Sequence, residues 1–541
     1  MFLKRFVVAF LAIAVGLSVA AGHVHYEKHD GTRASADQLQ FDHGQGEGGG
    51  ADTSRATPLR KAHDLSAELP EKPNIIILFG DDMGYGDLNV YGHPTTSTPN
   101  LDQMAKEGMR FTQFYVAAPL CSPSRASILT GRLFPRSGVY EEPKKNDDTG
   151  SATFGSYGSA GMMLNETTLA QALKPLGYVS GMVGKWHLGS VEAYHPTKRG
   201  FDSYFGCPFN LVSCNSTILN LTSKDPNCMV FRNDTIIEQP SDLLNIDARF
   251  VAETKTFIDN NKNRPFFFYF ASYHTHMPQF ASKDFINTTE RGLFGDALAQ
   301  FDGDVGEILS YLKQVGIANR TLVVFTGDNG PALGHDVLGG EQGPLKCGKG
   351  TTWEGGMREP AIMWWPGVIT PNTLSYELVN SMDIFPTALK LAGGQLPSDR
   401  VLDGFDLSDF IAGRSQQSPR DHVFYYSGKF LMAARLNQYK AHFYTMGSHC
   451  HNDYPDVDCR GSTRLQAHNP PLLFDLYSDP KERYPLDMET YASVATAIHD
   501  LVLEHNKTMT FAPPQIGINN SHDNYPCCNP SCTPRPTCCH C

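Results

Sequence analysis

Three short apolar runs limit what this chain can fold into more than any other feature. NIIILFG (74–80), PFFFYFA (265–271) and TLVVFTG (321–327) are continuous, rich in β-branched or aromatic residues, and free of polar alternation. Strands that read this way are covered on both faces, which calls for helices on either side of a sheet. Helical patterns do lie between them. In TPNLDQMAKEGM, Thr98 is placed as N-cap and Pro99 at the first helical position, with Leu101, Met104, Ala105 and Met109 on one face. ETTLAQALKPLGY and SMDIFPTALKLAGG follow the same period. The pattern predicts an α/β fold with a large, mostly buried sheet between helices.

The polar residues that follow the apolar runs carry the chemical signal. Asp81-Asp82 follows the first, SYHTH with His274 and His276 the second, Asp328-Asn329 the third, and Lys185-Trp186-His187 follows GYVSGMVG. Open α/β sheets bind ligands beyond the carboxyl ends of their strands, so these four segments are expected to converge. Any one alone reads equally well as a capping aspartate or a core histidine, and His274 reads best as packing or support. Asp81, Asp82, Asp328 and Asn329 offer only oxygen, which suits Ca²⁺ or Mg²⁺ rather than zinc. Arg125, Lys185, His187, His276 and Lys349 of CGKGTT add cationic or hydrogen-bonding groups. With one divalent ion present, Arg125, Lys185 and Lys349 outweigh the three aspartates by roughly +2, which predicts an anionic guest.

The chain opens MFLKRFVVAFLAIAVGLSVAAG, with Lys4 and Arg5 ahead of an apolar run that ends in small residues. That layout predicts a cleaved secretory signal over 1–21, followed by a flexible leader or propeptide over 22–71, rich in Gly, His and charge. No later apolar stretch is long enough to predict a membrane span. Eight N-x-S/T sequons, at Asn165, Asn215, Asn220, Asn233, Asn287, Asn319, Asn506 and Asn519, suit a secreted glycoprotein. The remaining length allows a catalytic domain over 72–414 and a C-terminal domain over 415–541. The boundary falls near Gly413-Arg414-Ser415; VFYYSGKF then alternates like a strand and 491–505 forms a last helix. A net charge of −12 disfavours nucleic acid or anionic membrane as partner.

Thirteen cysteines in an oxidising compartment should mostly pair, and the number is odd. Six crowd into CCNPSCTPRPTCCHC, which reads as a three-bridge knot or, with His540, a zinc knuckle. Cys214 and Cys228 bracket a short loop, Cys207 stands near Cys214, and Cys347 has Cys450 and Cys459 as alternative partners. Setting Cys121 aside leaves an even number. An unmodified thiol, with a pKa of about 8.5, is mostly protonated near neutral pH and makes a poor nucleophile there.

C-S-P-S-R-A-S-I-L-T-G (121–131) and G-Y-V-S-G-M-V-G-K-W-H (177–187) resemble the two signatures of the sulfatase family. PLKCGKGTTWEGGMREP, AHNPPLLFDLYSDP and the cysteine-rich tail are most similar to its arylsulfatase A branch. The resemblance implies an alkaline phosphatase-like fold, with a large mixed sheet between helices and a smaller C-terminal domain carrying a short antiparallel sheet. It implies that Cys121 is oxidised to formylglycine by the formylglycine-generating enzyme, and that the aldehyde hydrate attacks the sulfur of a sulfate ester. It implies one Ca²⁺ or Mg²⁺ on Asp81, Asp82, Asp328, Asn329 and residue 121. Arg125 and Lys185 would steady the hydrate and His187 would take a proton as sulfate leaves. Lys185, His276 and Lys349 would hold the sulfate, with His276 or Lys349 protonating the departing alcohol. Asn210 stands where the family has a serine near the substrate.

The same resemblance implies disulfides Cys347–Cys459, Cys214–Cys228, Cys527–Cys539, Cys528–Cys541 and Cys532–Cys538, leaving Cys207 and Cys450 as thiols or an extra pair. Expected partners are sulfated small molecules, glycolipids or polysaccharides, with an extracellular or lysosomal destination and room for a homodimer or higher homo-oligomer. Two rivals use similar groups. A phosphatase or phosphodiesterase would need a Ser or Thr nucleophile and two zinc ions, where this chain has Cys121 and a single oxygen set. A matrix glycoprotein that binds sulfated polysaccharides, with catalysis secondary, would use the same pocket.

Overall fold

The computed structural model describes residues 69–144, 148–211, 229–239, 241–521 and 524. The expected signal, most of the leader, Asn215, Asn220, the Cys214–Cys228 pair and the cysteine-rich tail lie outside them. In chain order the first half contains β1 (Asn74–Gly80), α1 (Pro99–Glu107), β2 (Met109–Tyr115), α2 (Cys121–Thr130), α3 (Leu169–Leu173), β3 (Val179–Gly184), β4 (Ser203–Gly206), β5 (Val230–Arg232) and β6 (Thr235–Glu238). There follow α4 (Ile246–Asn261), β7 (Phe266–Ala271), α5 (Gly292–Gln314), β8 (Thr321–Gly327), α6 (Glu354–Met357), β9 (Arg358–Trp364), β10 (Thr373–Ser375), β11 (Val379–Asn380), α7 (Ile384–Leu391) and α8 (Ser408–Ile411). The chain continues through β12 (His422–Ser427), β13 (Phe430–Leu436), β14 (Tyr439–Thr445), β15 (Gln466–Asp475) and α9 (Ala492–Thr508).

Among the described residues, eleven strands form one mixed sheet in the order β10-β2-β9-β8-β1-β7-β3-β4-β5-β6, with β11 also on β2. Its centre, β8-β1-β7-β3-β4, is parallel. Every residue of β1, β7 and β8 is buried, as their uninterrupted apolar runs require. Register fixes where these strands stop: Gly80 pairs with Gly327, Phe79 with Ala271, and Gly184 with Ala271. Asp81, Lys185, Ser272 and Asp328 therefore leave the sheet along one edge.

Helix α1 starts as its sequence predicts, behind Thr98 and with Pro99 first, but its cap comes from elsewhere. The amides of Asn100 and Leu101 donate to Asp302 Oδ1 of α5 at 3.1 and 2.8 Å. Met109, expected on the helix face, instead opens β2. Gly108 ends the helix, because a Cβ there would lie 2.2 Å from the Met363 carbonyl of β9. The neighbouring strand thus overrides the helical period.

The second sheet, β12-β13-β14-β15, is antiparallel, and α9 covers it through Ile498 against Ala434, Ala441 and Leu473. Both sheets belong to one compact unit. A buried ion cluster joins them. Lys440 Nζ of β14 lies 3.0 Å from both Glu354 Oε1 of α6 and Glu482 Oε1, while His442 Nε2 lies 2.6 Å from Glu482 Oε1. Tyr115, at the end of β2, donates its hydroxyl to Glu354 Oε2 at 2.5 Å. Each charge is paired, as burial demands.

Candidate active site

Beyond the carboxyl edge of the parallel strands, the polar segments converge. Asp81 follows β1, and its carboxylate accepts Lys185 Nζ at 2.5 Å. Asp82, in a left-handed conformation (φ 59°), accepts Lys349 Nζ at 2.6 Å and Asn329 Nδ2 at 2.8 Å. Asp328 follows β8; its Oδ1 takes the Asp82 amide at 3.1 Å and its Oδ2 takes Arg125 Nε and Nη2 at 3.0 and 2.7 Å. All of these carboxylates are buried. Non-glycine residues at positive φ are strained and tend to mark working parts of a protein.

Helix α2 brings the next two groups. Cys121 is its first residue, 2% exposed, with Sγ 3.5 Å from Asp81 Oδ1. Arg125, one turn on, is fully buried and also donates from Nη1 to the Lys185 carbonyl at 3.1 Å. One helical turn thus places the sulfur and the guanidinium on the same side, facing the aspartates. Burial pushes the Cys121 thiol up, more than Lys185 and Lys349 bring it down. It stays a neutral thiol.

The histidines are held in defined tautomers. His187, also left-handed (φ 59°), donates Nε2–H to the Phe154 carbonyl at 2.9 Å, and its amide donates to the Pro208 carbonyl at 2.8 Å. Its Nδ1 is buried and has no hydrogen-bond partner, and burial together with Lys185 and Arg125 holds the ring well below the usual histidine range. His276 donates Nδ1–H to the Met277 carbonyl at 2.6 Å, so that Nε2 faces Asp82 Oδ2 at 3.7 Å. Burial and Lys349 bring it down to about 4.

Burial would raise Asp81, but Lys185, His276, Arg125 and Lys349 hold it well below the usual carboxylate range. Asp82 is likewise lowered, burial being outweighed by Lys349 and His276. Asp328 goes the other way: burial and the adjacent Asp81 push it up against Arg125. Three buried carboxylates crowd one spot, and Asn329 Oδ1 is buried without a hydrogen-bond partner. Asp81, Asp82, Cys121 and His276 present ligand atoms within 4.8 Å of one another. Three carboxylates and an unpaired amide oxygen at one spot fit a hard divalent cation.

The family model described as Sulfatase matches residues 73–394, and that described as the C-terminal region of aryl-sulfatase matches residues 418–541. The chain belongs to the sulfatase family. Among other sulfatases, arylsulfatase A of Bos taurus is 42% identical over 512 residues, covering 89% of this chain and 97% of its own. N-acetylgalactosamine-6-sulfatase of Canis lupus familiaris is 43% identical over 478 residues, covering 84% and 89%. The crystal structure of the PsFucS1 sulfatase from Pseudoalteromonas sp. superposes with a TM-score of 0.71 at 28% identity, covering 81% of this chain and 91% of that one. Two relatives of near-equal identity bear names with different substrates, so overall similarity does not choose between them.

The other expected positions of this sulfatase are more scattered. Asn210 is half-buried in the segment after β4, two residues from the carbonyl that holds the His187 amide. Cys347 and Cys459 form a disulfide that ties the Lys349 loop to the β14–β15 connection. Cys450, half-buried, lies with Sγ 3.7 Å from His449 Nε2. Cys207 is buried, its amide accepted by the Tyr273 hydroxyl at 2.8 Å. Asn165, Asn233, Asn287, Asn319, Asn506 and Asn519 are all exposed. Among the described residues no helix is long and apolar enough to cross a membrane. The Phe154 carbonyl escaped the sequence reading, because a backbone acceptor leaves no mark in side-chain identity.

Proposed function

We propose that this chain hydrolyses sulfate esters, with residue 121 as nucleophile after its oxidation. The observation that carries the reading is the position of Cys121: first in α2, 3.5 Å from Asp81, one turn from Arg125, and buried as a thiol too basic to ionise. A cysteine protease would need a thiolate there. Asp81, Asp82, Asp328, Asn329 and residue 121 would hold one Ca²⁺ or Mg²⁺ ion, which when bound supplies Lewis acidity to a sulfate oxygen. Formylglycine at 121 supplies a hydrated aldehyde, whose two hydroxyls allow attack and later release.

The chain's own residues then have separable tasks. Arg125 and Lys185 place positive charge beside residue 121. His187 Nδ1, buried and without a hydrogen-bond partner, accepts a proton from that side chain when sulfate is expelled. Lys185, His276 and Lys349 would hold the sulfate, and Asn210, where the family has a serine, would hydrogen-bond it. Burial would lower Lys349, but Asp82 holds it well above the usual lysine range, so it remains an ammonium. His276 Nε2 gains its proton once an anionic sulfate lies beside it. Lys349 is therefore the better donor to the leaving alcohol. The natural ester is a sulfated small molecule, glycolipid or polysaccharide, met in the lysosome or outside the cell after processing by the formylglycine-generating enzyme.

The test is the mass of the peptide spanning residue 121 in protein from a secretory host, together with turnover of an aryl sulfate. An aldehyde at 121 and turnover abolished by Cys121→Ala are the expected results. An intact thiol in active protein sinks the reading.

A further inference from the structure

Two residues before His276 in the chain lies a buried polar pair that the proposed reaction does not use. His274 is fully buried, and its Nε2–H is accepted by Asp247 Oδ2 of α4 at 3.0 Å. The ring also packs on Phe280, centroids 4.6 Å apart, and its Nδ1 has no hydrogen-bond partner. Asp247 is thus the polar anchor of this imidazole.

The backbone of the same residue clamps the end of β1. The Asp81 amide donates to the His274 carbonyl at 2.7 Å, and the Thr275 amide donates to the Asp81 carbonyl at 2.6 Å. His276 comes next, with its amide on the Tyr273 carbonyl at 2.9 Å. A displacement of the His274 ring therefore reaches Asp81 through two short hydrogen bonds and His276 through two peptide links.

A second buried acid lies near Asp247. Asp304 of α5 accepts Gln300 Nε2 at 2.9 Å through Oδ1, and its Oδ2 has no partner. Burial and the nearby Asp247 raise it well above the usual range. Raised in this way, Asp304 brings less negative charge against the Asp247–His274 pair.

We infer that Asp247 is a positioning residue for the sulfatase reaction: through its hydrogen bond to His274 it sets the 272–276 segment, and with it Asp81 and the sulfate-facing Nε2 of His276. The inference rests on the proposal that His276 holds sulfate. Sub-ångström placement of such groups governs both affinity and rate, because a misplacement of about 1 Å can cost about a hundredfold.

The test uses full-length, aldehyde-bearing protein, with rates normalised to aldehyde content. KM for p-nitrophenyl sulfate and the inhibition constant of inorganic sulfate are measured for Asp247→Ala, Asp247→Asn, Asp304→Asn and His276→Ala. In Asp247→Ala both constants should rise together by about fivefold or more, while Asp304→Asn, a neutral isostere of the protonated acid, leaves them unchanged. Should the alanine variant fail to fold, Asp247→Asn reads the same quantity, with a rise of about two- to threefold expected from loss of the charge. The inference is overturned if a folded Asp247 variant loses only yield while both constants stay at wild-type values, or if Asp304→Asn shifts them as much. If His276→Ala also leaves both constants unchanged, the sulfate-holding role of His276 fails first.

Discussion

His187 gives its Nε2–H to the Phe154 carbonyl at 2.9 Å, which leaves the ring's lone pair on the buried Nδ1. A tautomer fixed in this way can only accept a proton at Nδ1. His187→Asn should lower kcat for an aryl sulfate by about 10²- to 10⁴-fold with bound metal and fold unchanged. Steady-state kinetics and metal analysis of the same preparation check it. Loss of metal in parallel with activity would assign the residue to ion binding instead.

Asp328 ties the Asp82 backbone to Arg125, since Oδ1 takes the Asp82 amide and Oδ2 the guanidinium. Asp328→Asn keeps the shape but removes the charge. Metal content should fall together with activity, by about tenfold or more, while the circular dichroism spectrum stays native. Chelation of wild-type protein should reproduce the loss, and added Ca²⁺ or Mg²⁺ should restore it only in the wild type. Equal metal content in both proteins would remove Asp328 from the ligand set.

The two thiols Cys121 and Cys450 differ in access and ionisation. Burial would raise Cys450, but His449 and Lys349 outweigh it and bring it down, whereas Cys121 is 2% exposed and held neutral. In folded Cys121-form protein, iodoacetamide should label Cys450 at least about tenfold faster than Cys121, and Cys121 should react only after denaturation. Peptide mass mapping over time decides the order. Rapid labelling of Cys121 in the native fold would contradict its burial.

Glu482 sits fully buried between Lys440 and His442. Burial would raise it, yet Lys440 and His442 bring it down to about 2. A carboxyl lowered in the folded state lends stability that is complete above its unfolded value of about 4.3 and fades as pH falls through the folded value. Glu482→Gln should therefore destabilise the protein by about 3–5 kcal/mol at pH 7, and by nearly as much at pH 5. The gap should narrow steadily as pH falls from about 4.3 towards 2, as read by denaturant unfolding across that range. A gap that closes by pH 5 would mean Glu482 is not held low.

Much of the site was legible because its parts sit at fixed offsets from local signals. Asp81, Asp82, Asp328 and Asn329 directly follow runs whose composition already marks them as buried strands, and the i, i+4 spacing of Cys121 and Arg125 is one helical turn. Parallel strands packed side by side must end along a common edge, so sequence alone was sufficient to gather these residues at one rim. What it could not determine depends on contacts between segments distant in the chain. The Asp302 cap on α1, the Gly108 break that turned Met109 from helix to strand, the Phe154 carbonyl on His187, and the Asp247–His274 bond are set by which surfaces meet in space. Local propensity is a weak preference, worth tenths of a kcal/mol per residue, and tertiary packing and hydrogen bonding override it wherever they oppose it. The tautomer of His187, the neutral state of Cys121 and the ammonium of Lys349 likewise follow from burial and neighbouring charge, which exist only once the chain has folded.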